Sequence, residues 1–155
     1  MVHQPEESPG FLLWHVSLRW QRDVTAALKP LGLTHVQFVL LASSWWLNEQ
    51  GEQPSQAALS AFVGTDVKMT SQVIRTLEQK ALITRAVDAA DSRARRVVIT
   101  DAGRALAPRA IDAVEAVDAA LLSELSQTTA HGFTDALRQL RHRPSEGAQH
   151  ERDNS

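Results

Sequence analysis

Lys68, Ser71, Gln72 and Arg75 recur at the three- and four-residue spacing that gathers side chains on one face of a helix. Their chemistry is hydrogen bonding rather than bond making. A glutamine amide pairs bidentately with the edge of adenine, and a guanidinium fork pairs with guanine or a phosphate. Lysine adds a point charge and serine a short hydroxyl. Met69 falls on the same polar face, where its thioether suits contact with a thymine methyl. Downstream, Asp91, Arg93, Arg95 and Arg96 crowd a polar stretch. A helix with such a face fits the major groove of DNA, and a basic loop just after it reaches the adjoining minor groove. Any one of these side chains alone would pass for ordinary solvated surface; their grouping carries the reading.

The flanking sequence supplies the elements that would position them. Ser55 caps a short helix containing Leu59 and Phe62, and Gly64 makes the turn that follows. Thr65 or Asp66 then caps a longer helix to about Lys80. Its predicted buried stripe is Val67, Thr70, Val73, Ile74 and Leu77. Its exposed face is Lys68, Met69, Ser71, Gln72, Arg75, Thr76 and Gln79. Residues 82–87 and 95–100, rich in β-branched side chains, read as two short strands around a polar loop at 88–94. Strands this short must lean on the helices.

Further helices bracket this region. Leu13, Val16, Trp20, Val24, Ala27 and Leu31 share one face of a predicted helix over 11–31, with Leu12 and Leu18 off that face, and Pro30 and Gly32 end it. Thr34 and Gln37 form a capping box for the next helix, whose predicted stripe is Phe38, Leu41 and Trp45, widened by Val39, Leu40 and Trp46. A long helix from Thr100 to about Leu125 is apolar round more than one face and contains Pro108, expected to kink it. Thr128 or Thr129 caps a last helix with Phe133, Leu137 and Leu140 on one side. The predicted organisation is a flexible segment over 1–10, helical arms over 11–33 and 101–143, a central lobe over 34–100 and a disordered tail over 144–155. The fold class is mainly α with a small β-hairpin.

Composition narrows the function. The chain has 155 residues, 43% of them apolar, enough for a real core. Its net charge is −2, yet residues 54–99 hold seven Lys and Arg against four Asp and Glu, a local excess of three positive charges. Phosphates would be drawn to that segment. There is no cysteine, so disulfides, thiolate metal sites and thiol redox sensing are excluded. The six histidines form no ligand spacing, and no metal or cofactor is expected. No phosphate loop, nucleophile elbow or dinucleotide turn is present, and tyrosine is absent, so an enzyme is not expected. The polar, acidic N-terminus lacks the pattern of a signal peptide and no apolar run suits a bilayer; the expectation is a cytoplasmic protein without membrane contact.

The order of two helices, helix-turn-helix, hairpin, long helix and terminal helix resembles the MarR family of bacterial transcription regulators. The likeness covers roughly residues 10–143 and is carried by Leu82-Ile83-Thr84-Arg85, Asp91-Ser92-Arg93 and Val98-Ile99-Thr100-Asp101-Ala102-Gly103. Its most specific part is the Asp-x-Arg hairpin tip followed by the Thr-x-x-Gly helix start.

The resemblance implies a winged helix-turn-helix lobe with a helical dimerisation arm, and a homodimer in which first and last helices of both subunits interleave. It implies a repressor on palindromic double-stranded DNA, with Arg93 entering the minor groove and Asp91 holding its guanidinium. Arg95 and Arg96 would contact phosphates or stabilise the strand, and Ser55 joins the DNA-contacting set. It further implies a small aromatic or phenolic effector that releases DNA, for which Trp14, His15, Trp20, His35, Trp45 and Trp46 are candidate lining residues. Tryptophans at helical spacing equally suit a core. Two other readings stay open: a winged-helix protein-interaction module, and an architectural DNA-binding protein without sequence choice. Salt dependence separates the first of these from a DNA binder.

Overall fold

The computed structural model describes residues 4–142. A 3-10 turn at Pro5–Glu7 leads into helix α1, Pro9–Leu28, and a second 3-10 turn at Lys29–Leu31 follows. Then come α2, His35–Glu49; α3, Gln56–Val63; α4, Val67–Gln79; strands β1, Ile83–Val87, and β2, Arg95–Ile99; α5, Asp101–Leu122; and α6, Gln127–Arg141. The two strands pair antiparallel, with Ile83 opposite Ile99 and Val87 opposite Arg95. Among the described residues the fold is mainly helical with one hairpin, as expected. The chain divides into two compact units, Met1–Asp118 and Ala119–Ser155.

Local chemistry explains the boundaries. Helix α1 starts at Pro9, two residues before the expected position, because Ser8 caps it and proline's fixed φ suits the first helical turn. At α2 both arms of the capping box form, Thr34 Oγ1 with the Gln37 N–H and Gln37 Oε1 with the Thr34 N–H, each 3.3 Å. Of the two candidate caps for α4, Asp66 takes the role, its carboxylate accepting from the Met69 N–H at 2.8 Å. Helix α5 continues through Pro108. The cap of α6 is Ser126 rather than Thr128 or Thr129, with its hydroxyl accepting from the Thr129 N–H.

The core of the first unit gathers Val24 and Leu28 of α1, Leu40, Leu41 and Leu47 of α2, Leu59 of α3, and Ile74 and Leu77 of α4. Ile83, Val97 and Ile99 from the hairpin and Ala107, Ala110 and Val114 from α5 complete it. Thr70 is fully buried but satisfied, sharing its hydroxyl with Thr65 and with the Asp66 carbonyl.

Several predicted stripes are displaced. On α1 only Val24 and Leu28 are buried, while Leu13 and Val16 are exposed. On α2 the buried row is Leu40, Leu41, Ser44 and Leu47; Phe38 and Trp45 flank it and Trp46 is exposed. Phe62 is exposed and stacks on Trp46, with ring centroids 6.0 Å apart. Val67, expected inside, is 56% exposed because the first helical residue after the turn stands clear of the α4 stripe.

The join between hairpin and α5 is tight. Thr100 donates its hydroxyl to the Ala81 carbonyl at 2.7 Å and its N–H to the Leu82 carbonyl at 3.1 Å. The same hydroxyl accepts from the Gly103 N–H. A Cβ at Gly103 would lie 2.1 Å from the Leu82 carbonyl oxygen, so only glycine fits there. Ala81 itself adopts a left-handed backbone, φ 57°.

Candidate nucleic-acid interface

Helix α4 is built to present its polar face. Thr70, Ile74 and Leu77 are buried, which turns Lys68, Met69, Gln72, Arg75 and Gln79 outward, with Ser71 and Thr76 half-buried at the margin. Among the described residues, the side chains of Lys68, Gln72 and Arg75 have no hydrogen-bond or ion-pair partner. They are therefore available to an outside acceptor without first breaking an internal bond. Glu78, the one acidic residue in the helix, is taken up by Arg85 of β1, whose Nε and Nη2 donate to Glu78 Oε2 at 3.0 and 2.7 Å. The far end of α4 is tied to the start of α2, since Lys80 Nζ donates to the Gly32 carbonyl and to Gln37 Oε1.

The seven cations of residues 54–99 thus sort into two groups. Lys80, Arg85 and Arg96 are spent inside the fold. Lys68, Arg75, Arg93 and Arg95 have no carboxylate partner among the described residues.

The hairpin tip differs from its expected form. Asp91 does not hold the Arg93 guanidinium. Its carboxylate accepts from the Arg93 backbone N–H at 3.0 Å, while the Ala94 N–H donates to the Asp91 carbonyl. An aspartate two residues before an N–H closes a local turn more readily than it reaches a long, exposed side chain. Asp91 therefore shapes the loop, and the Arg93 side chain projects without a partner among the described residues. Arg95 Nη1 donates to the Ser92 and Ala94 carbonyls, at 3.2 and 3.4 Å. Arg96 is ion-paired with Asp88.

Ser55 caps α3, its hydroxyl accepting from the Ala58 N–H at 3.1 Å, and its backbone bridges to Arg96 of β2. Asn48 has no signal in the sequence pattern. Its amide donates to the Glu52 and Val97 carbonyls and its oxygen accepts from the Ile99 N–H at 2.8 Å, fastening the outer edge of β2. Only its long-range contacts reveal this, since nothing nearby in sequence marks it.

The candidate effector residues do not form one cluster. Trp20 and His35 meet edge to face at 5.1 Å, and the Trp20 indole N–H donates to Asp118 Oδ1 at 2.7 Å. Burial lowers the His35 pKa from its ordinary value, with the Asp118 charge opposing that shift. His15 packs instead on Phe11, Trp14 is exposed, and Trp45 lies half-buried against the core. Trp46 belongs to the exposed pair with Phe62. Among the described residues, no group of three or more metal-ligating side chains is assembled, and no single helix is long and apolar enough to cross a membrane.

Comparison with known proteins agrees with this arrangement. The MarR family model matches residues 33–94. The chain is 41% identical over 136 residues to the HTH-type transcriptional regulator YdcH of Bacillus subtilis, covering 88% of this chain and 91% of that protein. It is 33% identical over 131 residues to the HTH-type transcriptional repressor Rv2887 of Mycobacterium tuberculosis, covering 84% and 91%. The crystal structure of Rv2887 with DNA superposes with a TM-score of 0.68 at 32% identity, over 86% of this chain and 97% of that one. Its complex with salicylic acid gives 0.67 at 32% identity, over 86% and 96%. CouR of Rhodococcus jostii, bound to p-coumaroyl-CoA, gives 0.79 at 25% identity, over 92% and 98%. The chain belongs to the MarR family of DNA-binding transcriptional regulators, and it is not an enzyme.

Proposed function

We propose that this protein is a homodimeric cytoplasmic repressor of a palindromic operator. Helix α4 enters the major groove, the hairpin tip enters the minor groove, and a small aromatic or phenolic acid releases the complex. The observation that carries this reading is the division of charge around α4: Lys68, Arg75 and Arg93 stand without partners while neighbouring cations are neutralised internally. In the groove, Gln72 and Arg75 supply base contacts, Lys68 and Arg95 phosphate contacts, and Ser55 a hydroxyl at the α3 N-terminus. Met69 and Ser71 complete the helix face.

Dimerisation is supported by apolar surface left exposed on two helices. Phe11, Leu12, Leu13 and Val16 of α1 are exposed, as are Phe133, Leu137 and Leu140 of α6. Burying such area against a second copy contributes roughly 25 cal/mol per Å² before association costs. The effector is supported by Trp20, His35 and Asp118, which combine aromatic walls with polar groups. The salicylic acid complex of Rv2887 supports an aromatic acid as its class.

The test is binding to a duplex selected from random DNA, titrated at several salt concentrations. Selective binding of two protomers per site, with affinity falling steeply with salt, supports the proposal. Binding without sequence choice would point to an architectural protein, and no binding to an interaction module. An effector screen on the bound complex then tests release.

A further inference from the structure

The cations of the hairpin are not equivalent, and Arg96 stands apart. It lies on β2 three residues after Arg93, and its guanidinium has two internal partners. One is the Asp88 carboxylate just beyond β1; the other is the Gln53 carbonyl, to which Nη1 donates at 3.2 Å. Asp88 is itself fixed, since its other oxygen accepts from the Ala90 N–H at 2.8 Å and its side chain is only 11% exposed. The same stretch of β2 is held by the segment leading into α3. The Val97 N–H donates to the Pro54 carbonyl at 2.8 Å, and Ser55 bridges to Arg96.

We propose that Arg96 is a positioning residue for DNA binding: clamped between Asp88 and the Gln53 carbonyl, it locks the hairpin to the start of α3 and aims Arg93, without contacting DNA. The proposal rests on the DNA-binding reading above. Its physical basis is leverage. Three residues span at most about 10 Å, so a tilt of about 10° at the clamp displaces the Arg93 backbone by up to about 2 Å, and its long side chain by more. That displacement is enough to lose a hydrogen bond in the groove. Arg96 also adds little net charge to the face, because Asp88 neutralises it in place.

The experiment measures affinity for the selected operator and for an unrelated duplex across a salt series. It compares the wild type with Asp88→Asn, Arg96→Gln, the double variant and Arg96→Lys, with Arg93→Ala as reference. Asp88→Asn makes the protein one charge more positive while keeping the acceptor for Ala90. Electrostatics alone would tighten its binding; the clamp predicts about tenfold weaker operator binding. Arg96→Gln is expected to weaken operator binding by a similar factor with its log–log salt slope unchanged, whereas Arg93→Ala loses about one unit of slope. The double variant should be no worse than the worse single one, since both remove one clamp. Arg96→Lys, which pairs with Asp88 but lacks the fork that also spans to Gln53, should fall between wild type and Arg96→Gln.

Tighter binding by Asp88→Asn, unchanged operator affinity in Arg96→Gln, or a slope reduced by about one in that variant would each overturn the clamp. If Arg96→Gln fails to fold, the sign of the Asp88→Asn effect decides. A wild type that binds no duplex would sink the DNA reading and the clamp together. A wild type that binds while these variants match it sinks the clamp alone.

Discussion

Helices α4 and α6 are alike in sequence and unlike in circumstance. Each is an amphipathic helix of similar length with its own N-cap, 13 residues in α4 and 15 in α6. Helix α4 buries Thr70, Ile74 and Leu77. Helix α6 buries nothing, and Leu140 is 76% exposed. An apolar stripe is therefore not evidence of where it packs. In α4 the stripe is satisfied by its own unit, which leaves the polar face free for the proposed DNA contact. In α6 the stripe awaits another surface, and the proposed dimer provides one.

The largest test of this contrast is Leu137→Glu. A charge placed in an interface costs heavily, so the protein should sediment as a monomer at micromolar concentration and lose operator binding. A dimer that survives would remove α6 from the interface. The counterpart, Ile74→Ala, should lower unfolding stability by about 2–5 kcal/mol through the cavity it leaves. Chemical denaturation would show that loss without monomerisation of the folded protein.

On the polar side, Arg93→Ala should weaken operator binding by about 1–3 kcal/mol while melting temperature and dimerisation stay unchanged. Replacing Gln72 and Arg75 together by alanine should erase sequence preference more than it lowers affinity for unrelated DNA, by about 1–3 kcal/mol per lost base pairing. Equal weakening on all sequences would reassign both side chains to phosphate.

The smallest effect is in pH. His35 titrates below its ordinary value of 6.5, so the folded state favours the neutral ring. Its contribution is intact above about pH 6.5 and is lost as pH falls through the lowered value, because the unfolded chain takes up the proton first. His35→Gln should remove that part of the acid dependence in a denaturation series. Asp118→Asn should deepen the dependence in the His35 protein by removing the opposing charge.

Much of α4 was legible from the sequence because the relevant information is local. The Asp66 cap, the Gly64 turn and the exposed order of Lys68, Gln72 and Arg75 depend on residues within two helical turns. Gly64 indeed adopts φ 80°. Periodicity gives a stripe its spacing but fixes its centre poorly. The spacing centres the α2 stripe on Phe38, Leu41 and Trp45, whereas Leu40, Leu41 and Leu47 are the buried row, and it puts Val67 inside where the residue is exposed.

Side-chain partners across the hairpin were less legible still. Asp88 and Arg96 meet only because the register sets Val87 opposite Arg95. Asp91, three residues further on, lies beyond the paired strands, and its carboxylate accepts from the Arg93 N–H instead. The candidate effector residues come from two helices, and spacing along each helix does not say which of them meet: Trp20 contacts His35, while His15 contacts Phe11 and Trp14 is exposed.

A hinge needs slack, and the seam at Gly103 has none. With the Leu82 carbonyl pressed against that glycine and Thr100 bonded to both Ala81 and Leu82, the first turn of α5 and the root of β1 move as one piece. Any swing of α5 is therefore passed whole to the hairpin instead of being absorbed on the way. In the proposed complex, the long helix thereby sets the angle of the hairpin that carries Arg93.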